Sequence, residues 1–191
     1  MKAIKTAAVF AMTLTLGAGS LVAQAPPPAA AKPRPPQTMA TFLQEQYGTL
    51  QRNLMGSAEK MPAEHFGFRP TPEVRTYAEL YAHTIETQYF YCNAVKGGPN
   101  PVAGKSLEKS VTDKAGVVQM VKDGFAYCDD LFANLTDEKA AAMIAMVAAP
   151  NTRQVAAGTR LTMVVVHGNE HYGNLVTYMR IKGIVPPSSA Q

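Results

Sequence analysis

Long apolar runs are missing from most of this chain. Beyond the first 25 residues no stretch reaches the roughly 20 apolar residues that a membrane helix needs. Dense runs of Lys and Arg are missing as well, which removes the usual electrostatic footprint for nucleic acid. No strand pairs, Gly-rich nucleotide loops or internal repeats stand out, so neither a nucleotide-binding sheet nor a solenoid is supported. Cysteine and histidine are scarce, with two of the first and four of the second among 191 residues. What is present is apolar residue at ordinary density, 47%, enough for one domain with a real core.

The start of the chain reads as an export signal over residues 1–25. Lys2 and Lys5 precede an apolar run from Ala7 to Leu16, and small residues follow. Cleavage is expected after Ala23 or Ala25, since Pro26 is a poor neighbour for the second. No cysteine lies near that exit, so a lipid-modified N-terminus is not indicated. Lys2 and Lys5 are two of 18 basic residues set against 14 acidic ones, so a processed chain is close to neutral. Residues 26–36 form a Pro/Ala-rich tether, expected to be extended and outside any core. The domain proper is expected over 37–191, in a periplasmic or secreted setting.

From residue 37 the apolar spacing is helical. Met39, Leu43, Tyr47, Leu50 and Leu54 make one stripe, and Pro62 stops the helix after Lys60. Residues 64–74, with Pro70 and Pro72, are expected to be a loop. Thr76 and Glu79 have capping-box spacing, opening a second helix that runs to Lys96 before Gly97 and Gly98. A third helix is expected over 113–134 and a last one over 152–182, ended by Gly183 and Pro186. Between them lie a short helix from Thr136 and an extended piece ending at Pro150. Four long amphipathic helices make an all-α bundle. The link between the second and third is 16 residues long. Antiparallel neighbours need only a few, so these two helices are expected to run in the same direction.

Two histidines, His167 and His171, stand four apart on a stripe with Val164, Leu175 and Tyr178. Their rings share one helix face, a spacing suited to gripping one cation. His83 occupies a similar apolar stripe on the second helix, with Leu80 and Thr87. Buried imidazoles without partners cost on the order of 1–3 kcal/mol each, and a divalent ion relieves that cost. The alternative is three core histidines satisfied by hydrogen bonds. The pair is not a metalloprotease motif, because Gly168 stands where H-E-x-x-H has its Glu. His65, in the Pro-rich loop, is expected to be solvated.

Two stretches carry a family resemblance: MPAEHFGFRPTPEVRTYAELYAH, ending at His83, and HGNEHYGNLVTYMRIKGIVPP, starting at His167. They resemble the DinB/YfiT-like superfamily of four-helix-bundle metalloproteins, over roughly residues 37–187. The resemblance implies an up-down-down-up bundle and a divalent metal, zinc or nickel, on His83, His167 and His171. It implies an enzyme, a hydrolase or thiol transferase acting on a small-molecule substrate; the other class open is a non-catalytic metal-binding or stress-related protein. Relatives often pair through bundle faces, so a homodimer is a plausible partner state, with no nucleic acid and no membrane span after processing. Three imidazoles leave open positions on the ion, the mark of a catalytic rather than a structural site. Glu86, one turn after His83, is the candidate base or outer-shell carboxylate. Glu170 is expected at the surface, and Arg69 and Arg180 in salt bridges rather than on an anionic substrate.

Cys92 and Cys128 sit at similar depths in the second and third helices. If those helices are parallel, the thiols lie level and a disulfide is feasible; if antiparallel, they are roughly 15 Å apart and it is not. The other reading is two buried free thiols. Cys92 falls nine residues after His83, on the opposite helix face, so it is excluded as a ligand.

Overall fold

The structure, a computed structural model, describes residues 36–148 and 151–190. The expected export signal, and all but the last residue of the tether, lie outside the described residues. The elements run α1 (Met39–Lys60), α2 (Tyr77–Lys96), α3 (Leu107–Ser110), α4 (Lys114–Ala133), α5 (Asp137–Ala141), β1 (Met143–Ala148), β2 (Asn151–Ala156) and α6 (Ala157–Ile181). Short 3-10 turns, Ala63–His65 and Pro187–Ser189, complete them. The fold is all-α, and none of the described helices is long and apolar enough to cross a membrane.

Local chemistry sets the helix starts. Thr38 and Thr41 form one capping box and Thr76 and Glu79 another, each tying up two amides that the first helical turn leaves unpaired. Asp113 caps α4 by accepting the Gly116 N–H. Apolar stripes then close the core. Leu43, Leu50 and Leu54 of α1 meet Tyr77, Tyr81 and Ile85 of α2, Val121, Phe125 and Phe132 of α4, and Leu161, Leu175 and Met179 of α6. Burying a side chain of this size contributes about 1.5–3 kcal/mol. The Tyr47 ring stacks on Phe132, and its one hydroxyl proton is shared between the Asp129 carboxylate at 2.8 Å and the Phe125 carbonyl at 3.0 Å.

Contacts fix the helix directions. Tyr81 meets Leu54 and Ser57 while Tyr77 meets Ser57, so α1 and α2 are antiparallel. Gln88 reaches Gly124 and Lys96 reaches Asp130, so α2 and α4 run the same way. Arg75 meets Tyr178 and Tyr91 meets Arg160, so α6 returns antiparallel to α2. The bundle is up-down-down-up. Cys92 and Cys128 form a disulfide with their Cα atoms 5.7 Å apart, a bridge that only the parallel arrangement allows.

Two glycines let helices approach closely. A Cβ at Gly168 would collide with the buried Leu50 side chain of α1, and one at Gly124 would sit 2.6 Å from Ile85 of α2. Gly168 therefore seats α6 on α1 while its neighbour His167 faces α2.

One expectation needs correction. The last helix does not begin at residue 152. Asn151–Ala156 is a strand paired antiparallel with Met143–Ala148, and α6 starts at Ala157. Thr152 and Val155 are β-branched, and a partner strand was available in the extended piece before Pro150. The long link contains the single turn α3, tied to α2 by Glu86, which accepts the Leu107 N–H.

Candidate metal centre

The seam between α2 and α6 carries the histidines. His83 lies in the second turn of α2, and His167 and His171 lie midway along α6. The antiparallel contacts Arg75–Tyr178 and Tyr91–Arg160 bracket them on either side. The His167 and His171 Nε2 atoms are 3.0 Å apart. The His83 ring centroid lies 5.1 Å from that of His167 and 4.9 Å from that of His171. One ring nitrogen from each residue falls within 4.8 Å of the others.

Each ring has a neighbour that orients it. His83 Nδ1 lies 3.4 Å from Glu108 Oε1, which leaves Nε2 for the centre. The same Glu108 oxygen accepts from Arg75 Nε at 3.1 Å. His171 Nδ1 lies 3.3 Å from the Asn174 side-chain amide. His167 abuts the Tyr91 ring at 6.4 Å.

The electrostatics favour neutral imidazoles. Burial lowers the pKa of all three below the usual histidine value; Arg75 lowers each further, and neighbouring imidazoles do so for His167 and His171. His171 is brought down to about 4. Neutral rings keep the lone pairs that a metal ion needs. Beside the cluster opens a cleft of about 630 Å³, lined by Arg75, Glu108, His171, Asn174 and Tyr178 among others.

The donor set fits a divalent ion. Two bonds of about 2.0–2.1 Å place donor nitrogens about 3–3.4 Å apart. The His167–His171 pair already meets that spacing. His83, with 28% of its side chain exposed, has room to turn toward that pair from within 4.8 Å. Imidazole donors suit zinc, nickel, copper or iron rather than magnesium or calcium.

The other sequence candidates fall elsewhere. Glu86 does not reach a ring nitrogen, because its carboxylate is committed to the Leu107 amide; the carboxylate on His83 is that of Glu108. Glu170 is exposed, although its charge still raises the pKa of its neighbours on α6. Arg69 lies 3.8 Å from Glu79, and Arg180 donates to Ser189. His65 stands in its own 3-10 turn, outside the cluster. Glu108, Arg75 and Asn174 were not picked out from sequence. Asn174 is three residues past His171 and so on the same face, a signal that was there; Glu108 depends on how the link folds.

The sequence pattern of the DinB superfamily matches residues 46–175, most of the domain and all three histidines. No curated protein matches the chain. Among solved structures it resembles a DinB-like protein from Bacillus cereus, at 15% identity and a TM-score of 0.61, covering 76% of this chain and 93% of that one. A DinB-like protein from Bacillus subtilis aligns at 20% identity and a TM-score of 0.56, covering 74% and 92%. A conserved protein from Enterococcus faecalis aligns at 13% identity and 0.57, covering 76% and 98%. At these identities the structural likeness speaks for the fold alone. Together with the match over residues 46–175, it places the chain in the DinB superfamily.

Proposed function

We propose that this protein is a metal-dependent enzyme, a hydrolase or thiol transferase, with a divalent ion held by His83, His167 and His171. The observation that carries the reading is the convergence of three neutral imidazoles from two helices within 4.8 Å. Zinc and nickel are the ions we favour. When bound, such an ion supplies a Lewis acid with free positions, able to acidify a water or a thiol. The chain's own residues do the rest. Glu108 holds the His83 ring through Nδ1, and Arg75 holds Glu108. Asn174 contacts the outer nitrogen of His171 and holds that ring in place. The cleft beside the rings admits a small molecule, and Arg75, Asn174 and Tyr178 offer polar groups along it. A half-open centre beside a cleft of this size favours turnover over simple metal storage.

The disulfide between Cys92 and Cys128 supports an exported protein, since such bridges persist mainly outside the reducing cytosol. A homodimer formed through bundle faces belongs to the same proposal.

Elemental analysis of protein purified without added metal, beside a His167→Ala variant, tests the centre. Near-stoichiometric metal in the first and its loss in the second is expected; a metal-free wild type would refute the reading. Ester, amide and thiol-transfer substrates then test turnover. Failure of all of them at full occupancy would return the protein to the non-catalytic class.

A further inference from the structure

The cleft beside the histidines is lined by a guanidinium whose outer nitrogens are left open. Arg75 donates through its inner nitrogen, Nε, to Glu108 Oε1 at 3.1 Å. That oxygen also lies 3.4 Å from His83 Nδ1, so the guanidinium and a ring of the cluster meet on one carboxylate oxygen. Among the described residues neither terminal nitrogen of Arg75 has a hydrogen-bond partner. Arg52, Arg69 and Arg180 differ: each gives a terminal nitrogen to a protein oxygen.

Arg75 is also held at both ends. Its backbone carbonyl accepts the Tyr178 hydroxyl proton at 2.9 Å, and Glu108 anchors its Nε. The side chain keeps 42% exposure, on the cleft of about 630 Å³ that reaches the cluster at His171. Its positive field extends over all three rings, lowering the pKa of each. Pro70, Val74 and Leu80 give the cleft an apolar wall. Two carboxylates, those of Glu73 and Glu108, border it as well. A doubly charged anion would be repelled by both. A carboxylate carries one charge, and its two oxygens match the planar fork of a guanidinium.

We infer that the terminal nitrogens of Arg75 donate to a carboxylate of the substrate, so that the cleft selects small monoacids whose reacting group is a few bonds from that carboxylate. The guanidinium is fixed before the ligand arrives, which spares it the ordering cost that a free side chain would incur. The inference rests on the proposed metal centre and names its substrate class, and the test separates the two.

The probes are mercaptoacetate, 3-mercaptopropionate and 4-mercaptobutyrate, each beside its mercapto-alcohol, titrated by absorbance at low salt into protein saturated with cobalt(II). In the wild type the widest gap among the three pairs should be about 10-fold in favour of the acid. In Arg75→Met that gap should close while binding of the alcohols stays unchanged. Arg75→Gln, which keeps a donor for Glu108 without the charge, should lose the gap in the same way and serves if Arg75→Met does not fold. Glu108→Gln leaves the guanidinium in place and should keep the gap. The absence of any gap in the wild type, or an equal gap in wild type and the Arg75 variants, would overturn the inference. A gap lost as fully in Glu108→Gln as in Arg75→Met would overturn it too, leaving Arg75 only as the support of Glu108. A wild type that takes up no cobalt would instead remove the metal centre, and the inference with it.

Discussion

Helix α2 packs against α4 on one side and α6 on the other, and the two seams are built from opposite materials. The α2–α4 seam is closed. Cys92 is bonded to Cys128, Gly124 admits Ile85, the Gln88 amide donates to the Gly124 carbonyl, and Lys96 pairs with Asp130 at 2.5 Å. The α2–α6 seam is open: it keeps three imidazoles with lowered pKa values beside a cleft. One helix thus carries a stabilising face and a chemical face. Groups that want a ligand are tolerable on the second because covalent and packing interactions on the first hold the helix in place.

The comparison predicts that lesions on the two seams separate. The largest effect belongs to the histidines. His171→Ala should weaken metal binding by more than the roughly 100-fold that outer-shell changes produce. The melting temperature of its metal-free form should match the metal-free wild type. Equal metal content in variant and wild type, measured by mass spectrometry, would erase the distinction between the seams.

Next comes the bridge. Replacing Cys92 and Cys128 together by Ser frees a loop of 36 residues of sequence separation. The loop-closure cost in the unfolded chain puts the loss at about 3–4 kcal/mol, read by denaturant titration. Metal stoichiometry should not change. If metal were lost in parallel with stability, the two faces of α2 would be one unit.

Glu108→Gln tests the support of His83. It should lower metal affinity by about 10- to 100-fold. The exposed Arg75–Glu108 pair contributes little by itself, so metal-free stability should move by less than about 1 kcal/mol.

The smallest effect is that of pH on the metal-free fold. The folded histidines titrate below the ordinary value of 6.5, His171 at about 4. The unfolded chain therefore takes up protons first as pH falls. Stability should be level above 6.5 and decline between there and about 4, with the same slope in the Cys92→Ser/Cys128→Ser variant. Calorimetry across that range reads it, and a rise in stability on acidification would reverse the assigned sign.

Sequence showed most clearly what is local. The Thr76–Glu79 capping box needs four residues, and the His167–His171 spacing needs five; both stand as read. The direction of α4 followed from the length of the link before it, and the disulfide followed from that direction. The hairpin was missed because Thr152–Ala156 continues smoothly into a helical pattern, and pairing with Met143–Ala148 is a property of two segments. Glu86 was preferred to Glu108 on helical spacing alone. The α3 turn, which no periodicity announces, brings Glu108 over His83 and occupies Glu86.

The metal centre itself is most directly tested by crystals of the zinc-loaded protein measured at the zinc absorption edge. One anomalous peak is expected, about 2.0–2.1 Å from one nitrogen of each of His83, His167 and His171. A peak bound elsewhere, or none at full zinc loading, would contradict the assignment of these three rings to a single ion.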